Sequence, residues 1–486
     1  MMNPHDAAQI QLVLISHTNA GKTTLARTLV GTDIGEVRDA PHVTIASESH
    51  LLLETSAGDA LLLWDTPGFG DSVRLARRLA HADNPIGWLL REVIDRYRDR
   101  PFWLSQQALR TAREAADVVL YLVNSAEDPQ DAGYLDAEMK VLEWLGKPVM
   151  VLLNQMGPPR PAAAEQAEQE RWRTGLAAYP AVRKVIPLDA FARCWVHERV
   201  FYDAIGALVP VEKKLSQTRL VAQWEQDNQA RFHAAMGLIA AQVCAAARDS
   251  EPLSAASRPI VDTVARAVGL GERASGRRED QAMAALTARL EHSIAVSTAG
   301  LLMLYKLDAG SARTINERVR KAYVVRTPVD ARQAGLLGAV VSGAASGLSA
   351  DLLSGGLSFG AGALLGGIAG ALTFAGAAWT FNTSTGRDVS TVHFSDEFLR
   401  SLVVAGLLRY LAVAHFGRGR GGFVESEAPA FWQDEVEREI AIHEAALPAA
   451  IRAEPAALAA LLQQMMAQVL QRLYPHRTGA LPAKNL

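Results

Sequence analysis

The stretch "LVLISHTNAGKTTLARTL" occupies residues 12–29. An apolar run that passes through a short polar loop into Gly-Lys-Thr and then a helix-like segment is the setting of a phosphate-binding loop, G-x-x-x-x-G-K-[ST]. Against that pattern it reads Ser16-His17-Thr18-Asn19-Ala20-Gly21-Lys22-Thr23, with serine where the first glycine belongs. In such a loop, successive backbone N–H groups and the N-terminus of the next helix face the phosphates. The pattern places Lys22 against the β- and γ-phosphates and the Thr23 hydroxyl on Mg²⁺. Ser16, Ala20, Gly21 and Thr24 are the neighbouring cradle positions. The first glycine only eases a turn, so a small serine is tolerated there, whereas Gly21 and Lys22 carry the chemistry.

A second motif, "LLLWDTPGFGDS" at 61–72, stands at a workable distance, with Asp65 lying 43 residues after Lys22. Its carboxylate would hold a Mg²⁺-bound water, and the Gly68 N–H would meet a γ-phosphate. Alone, Asp-Thr-Pro-Gly is also a strand-ending turn; paired with the loop it predicts a nucleotide site. Around both motifs, residues 1–210 alternate short apolar runs with helix-like segments, which predicts an α/β domain with a mostly parallel sheet and helices on both faces. Strands are expected at 10–15, 49–53, 60–64, 118–123, 149–153 and 184–187, with added helical material near 72–115. Unbroken runs such as "VVLYLV" suit central strands covered on both faces.

These residues resemble the TrmE–Era branch of bacterial small GTPases, a P-loop GTPase family whose loop commonly reads G-x-x-N-x-G-K-S. Asn19 falls on that asparagine. The resemblance implies GTP as substrate and Mg²⁺ as cofactor. It also implies that Thr44 in "APHVTIAS", 22 residues after Lys22, closes over Mg²⁺ and the γ-phosphate in the triphosphate state, an order–disorder switch sensing one phosphate. A K⁺ ion held partly by Asn19 would supply positive charge. The alternatives are an Asn19 that only braces the loop and a Thr44 that is an ordinary loop residue. Phe69 stands where Ras-like enzymes place a water-orienting glutamine, and no residue in the sequence is a convincing general base.

The base-recognition motif departs from the family's Asn-Lys-x-Asp. "VLLNQMGPPR" supplies Asn154-Gln155-Met156-Gly157. Asn154 is kept, but the carboxylate that takes two hydrogen bonds from guanine is gone, which weakens discrimination by about 3 kcal/mol. GTP against ATP therefore stays open, with the resemblance favouring GTP. Asp189-Ala190 in "VIPLDAFA" occupies the place of the family's Ser-Ala loop; Asp189 either supplies a replacement carboxylate or caps a helix. A subgroup with this altered "NQ" motif carries a long uncharacterised C-terminal domain, and the chain is similar to it over its whole length.

The remaining sequence is less informative. Of 486 residues, 49% are apolar and 21% charged, with a net charge of −3, so no global field draws the chain to nucleic acid or anionic lipid. Two cysteines imply no disulfide framework, and the N-terminus lacks a secretory pattern. The expectation is a cytoplasmic protein, either free or at the cytoplasmic face of the inner membrane. Residues 211–332 and 387–486 read as helical. Between them, at 333–386, lies a Gly-rich apolar stretch whose only charge over 334–386 is Asp351 and which holds 13 glycines there. Pairs such as Gly343/Gly347 and Gly362/Gly366 have the small-x-x-x-small spacing of close helix contacts. The stretch is expected to form a helical hairpin that inserts in a membrane, associates with another copy, or packs as a buried glycine zipper. "HFGRGRGGF" at 415–423 has the Gly-x-x-Gly of an RNA-binding loop. Residues 383–486 hold ten Lys/Arg against eleven Asp/Glu, however, so nucleic acid is not expected as a partner.

The expectation is a slowly hydrolysing GTP switch whose nucleotide state is read by the helical C-terminal region and, through it, by a protein partner the sequence does not identify. The competing readings are a nucleotide-binding membrane or scaffold protein with little turnover, and an RNA-associated assembly factor.

Overall fold

The computed structural model describes residues 7–17, 20–30, 48–69, 72–80, 100–156, 162–188, 195–252, 271–307, 379–382, 391–415 and 430–474. They divide into two compact units, one made of the described residues up to 229 with 415 and 474, the other of the described residues within 230–414 and 430–473.

In the first unit the aliphatic runs become six strands: β1 Gln9–Ser16, β2 Glu48–Glu54, β3 Ala60–Asp65, β4 Val118–Asn124, β5 Val149–Asn154 and β6 Val182–Pro187. All six strands expected from the sequence are present, each extended by one or two residues or ending where expected. The sheet order is β2-β3-β1-β4-β5-β6, parallel except for the antiparallel edge strand β2. The helices described in this unit include α1 Lys22–Val30, α2 Ser72–Ala80, α3 Arg100–Ala115, α4 Leu135–Leu145, α5 Ala162–Gly175 and α6 Trp195–Leu208. The core joins β1, β4 and β5 to Phe69, Phe102, Met139, Leu142 and Trp172, which is why the central strands carry no polar alternation. Strand order switches at β1, with β3 added on one side and β4 on the other; crevices at such switch points, beyond the carboxyl ends of the strands, are where open α/β sheets take ligands.

The turn between β2 and β3 is tied down strongly. Gly58 adopts a left-handed φ of 88°, and Asp59, fully buried, accepts from Thr55 Oγ1 at 3.1 Å and from the Ala8 N–H at 3.2 Å. Its carboxylate also receives a two-pronged contact from Arg219, with Nε and Nη2 each at 2.6 Å. Arg219 lies near the start of α7, Lys214–Arg248. Lys213, just before that helix, donates to Asp117 at 2.7 and 2.8 Å, and Asp117 in turn accepts the Gln11 N–H at 2.8 Å. These pairs are why residues 211–229 belong to the first unit.

The second unit is mainly helical. It holds the rest of α7, α8 Gly271–Leu304, α9 Asp396–Ala414, α10 Ala430–Ile442, α11 Leu447–Arg452 and α12 Pro455–Leu473. Gly300 and Gly406 let helices approach closely: a Cβ at either would lie 2.8 Å from Leu238 or 2.7 Å from Ile239 of α7. The segment 211–248 is long and apolar enough to cross a membrane, but half of its apolar window is buried, as befits a bundle's central helix. Three short strands, β7 Ser250–Pro252, β8 Trp379–Asn382 and β9 Thr391–Phe394, form a small antiparallel sheet in the order β7-β9-β8. The region is mainly helical as expected, with these short strands within it; one expectation is corrected, since residues 379–382, placed in the apolar helical hairpin, are strand. Trp, Thr and Phe in succession favour a pleated surface, and pairing with β9 outweighs the surrounding glycine-rich composition. The rest of the expected hairpin, 333–378 and 383–386, lies outside the described residues, as does 416–423.

Candidate functional site

The chain leaves β1 at Ser16 and enters α1 at Lys22. Ser16 is fully buried. Its hydroxyl accepts from Lys22 Nζ at 2.8 Å and donates to the His17 carbonyl. Among the described loop residues only Gly21 has a left-handed φ, 89°. Gly21 is thus the position that requires glycine. Ser16 needs no such freedom, and its hydroxyl anchors the lysine, a contact glycine could not make.

Asp65, at the carboxyl end of β3, meets this loop. Thr23 Oγ1 donates to Asp65 Oδ2 at 2.7 Å, and Asp65 Oδ1 is buried with no hydrogen-bond partner. An orphaned carboxylate oxygen beside a threonine hydroxyl is a hard-oxygen donor set that fits Mg²⁺, which favours few protein ligands plus phosphate and water. Burial pushes the Asp65 carboxyl up, against the Thr23 hydrogen bond and the Lys22 charge. Burial pulls the Lys22 ammonium down, against Asp65 and Glu138. Both shifts mark a site whose charges are removed from water ahead of any ligand.

Gly68 sits against the lysine. A Cβ there would lie 2.8 Å from Lys22 Nζ and 3.4 Å from the Ser16 carbonyl. The next residue, Phe69, donates its N–H to Ser16 O at 2.9 Å and is fully buried in the core. Gly68→Ala should displace the ammonium, whose flexible stem can yield, and leave the fold intact. The expected result is at least about a tenfold loss in hydrolysis rate, equivalent to 1.4 kcal/mol, with no fall in melting temperature, read by phosphate release and circular dichroism.

At the end of β5, Asn154 is buried and its Nδ2 donates to the Ala20 carbonyl at 3.0 Å. In this arrangement the side chain braces the loop. Gln155 is exposed at a φ of 57°, a left-handed conformation that costs a non-glycine residue about 1 kcal/mol.

A buried network behind the loop was not anticipated. His17 Nδ1 pairs with Glu138 Oε1 at 2.7 Å, and Tyr121 Oη donates to Glu138 Oε2 at 2.5 Å. The His17 ring stacks on Tyr134 with centroids 4.0 Å apart. The available signal was the stripe of α4, where Leu135, Glu138, Met139, Leu142 and Leu145 share the buried face; a carboxylate there needs an internal partner. Glu138→Leu would strand the Tyr121 hydroxyl and free the His17 ring. A loss of about 2 kcal/mol is expected, measured as a shift of the urea midpoint.

Residues 179–476, more than half of the chain, match the family model described as "Domain of unknown function (DUF3482)". The chain belongs to the DUF3482 family. Residues 11–155 match the model described as "50S ribosome-binding GTPase". The N-terminal part of this DUF3482 protein is a P-loop GTPase domain, and the DUF3482 match begins before β6, so the last strand of the GTPase-type sheet falls within it. No curated protein matches the chain. Among solved structures, Era of Aquifex aeolicus bound to GDP and AlF₄⁻ is similar at 17% identity over 42% of this chain and 57% of its own, with a TM-score of 0.31. Era with MgGDPNP and nucleotides 1506–1542 of 16S ribosomal RNA follows at 16%, 42%, 58% and 0.31. NFeoB of S. thermophilus bound to mGMPPNP gives 16%, 45%, 78% and 0.24. The chain thus spans less than two thirds of the length of either Era structure.

In the GTPase domain of this DUF3482 protein, Ser16, Ala20, Gly21, Lys22, Thr23, Asp65, Gly68 and Asn154 are brought together. Thr24 is buried on α1, its carbonyl accepting from Thr28 Oγ1 at 3.0 Å. Asn19, Thr44, Asp189 and Ala190 lie outside the described residues.

Proposed function

We propose that this DUF3482 protein is a Mg²⁺-dependent GTP-binding switch that hydrolyses GTP slowly. The observation that carries the reading is the convergence of Lys22 Nζ, the Thr23–Asp65 hydrogen bond and the Gly68 backbone within one buried pocket end. Lys22 would neutralise the β- and γ-phosphates, Thr23 and Asp65 would hold the metal side, and the Gly68 N–H would meet the γ-phosphate. Thr44 is assigned to close on the metal and Asn19 to hold K⁺. Bound Mg²⁺ supplies the charge neutralisation that lets water attack the γ-phosphate. Phe69 faces the core and orients no water, which supports slow turnover. The GTPase family match supports guanine over adenine despite Asn154-Gln155-Met156-Gly157.

The test is equilibrium binding of GTP, GDP and ATP to the full chain with Mg²⁺, together with phosphate release in K⁺ and in Na⁺. Micromolar GTP binding with weaker ATP binding and faster release in K⁺ is the expected outcome. Equal rates in the two salts remove the role of Asn19, and failure to bind any purine triphosphate removes the switch. Binding without turnover leaves the scaffold reading.

A further inference from the structure

In the helical unit, Arg409 lies in the middle of α9 and is 2% exposed. Nη1 donates to Thr298 Oγ1 at 3.1 Å, and Nη2 donates to Gln242 Oε1 at 2.5 Å and to Ser297 Oγ at 3.4 Å. Every partner among the described residues is neutral. Among the described residues, two donors in this layer have no acceptor: Arg409 Nε and Gln242 Nε2. No carboxylate among the described residues acts on the guanidinium; burial pulls it down to about 10, which leaves it protonated at neutral pH. A buried lysine escapes such a position by losing its proton, but arginine cannot. The cation therefore stays, taken out of water with no counter-charge among the described residues, an arrangement that is strongly unfavourable unless it is compensated.

One turn along, the contacts of Gly406 with Ile239 and of Gly300 with Leu238 hold α7, α8 and α9 close together. Helices held this close favour a small ligand over a bulky one. An internal water would fill a donor or two but would leave the charge unbalanced. We propose that the layer formed by Arg409, Gln242, Ser297 and Thr298 binds a small monovalent anion of chloride size, which accepts from the two unfilled donors and balances the guanidinium. This would make a site of anion-dependent stability within the DUF3482 domain, independent of the nucleotide pocket.

Thermal unfolding of the full chain in potassium chloride and in potassium gluconate at equal ionic strength tests this. Chloride should raise the melting temperature of the helical unit saturably, by about 5 °C at high occupancy. Arg409→Met removes the charge and should abolish the chloride response. Gln242→Glu places a carboxylate beside the guanidinium; it should raise melting in gluconate and also abolish the response. The site is overturned if the wild type melts alike in both salts, or if Arg409→Met responds to chloride as the wild type does. Should Arg409→Met not fold, a retained chloride response in Gln242→Glu overturns it alone.

Discussion

Lys22→Ala should lower GTP hydrolysis about 10²- to 10³-fold, the scale seen when one preorganised charge donor is lost from a transition-state site. The lysine reaches the centre of the pocket on the first turn of α1, held by the Ser16 hydroxyl at 2.8 Å. Alanine removes the only ammonium positioned between the loop and Gly68 among the described residues. The effect on stability should run the other way. Burial holds the Lys22 ammonium below its ordinary value, so folding disfavours its protonated form. Removing it relieves that cost, offset by the lost bond to Ser16. The variant should melt at the wild-type temperature or higher while phosphate release collapses, and nucleotide titration should show weakened triphosphate binding. A variant that hydrolyses normally would place the phosphates elsewhere.

Arg219→Met should destabilise the first unit by about 3 kcal/mol, because it leaves Asp59 buried without its cation. The Arg219 guanidinium holds the Asp59 carboxyl well below the usual carboxylate range, against the opposing effect of burial. A depressed carboxylate contributes stability that is complete above its unfolded value, about 3.9, and is lost as pH falls toward the folded one. The gap between wild type and variant, read by urea unfolding, should therefore be constant from pH 6 to 8 and narrow below about pH 4. The same variant tests whether the proposed nucleotide switch acts through this contact. Asp59 precedes β3, the strand that ends in Asp65, and Arg219 belongs to α7, which runs on to Arg248. Edge strand β2 is largely exposed and its pairing with β3 shifts register between Leu51 and Leu53, so its register is weakly specified. Hydrogen exchange over 230–248 should differ between GDP and a non-hydrolysable triphosphate in the wild type, and the difference should shrink in Arg219→Met. Unchanged exchange in the wild type would exclude α7 as the route.

The apolar runs at 118–123 and 149–153 and the Gly21-Lys22-Thr23 and Asp65-Thr66-Pro67-Gly68 spacings were sufficient to specify the α/β sheet and the meeting of the two loops around Lys22. These signals are local: period, turn chemistry and a loop's requirement for one left-handed glycine are all written within a few residues of one another. What the serine in the first loop position does was not legible. Its role depends on where Lys22 Nζ comes to rest, which is a property of the folded loop. The same holds for Asn154, whose amide turns to Ala20, 134 residues away in sequence. Glu138 with His17, Asp59 with Arg219, and Arg409 with Gln242 are likewise pairings across 121, 160 and 167 residues. No periodicity encodes such partners; only the packing of sheet and helices brings them within bonding distance and decides which buried charges are answered and which are not.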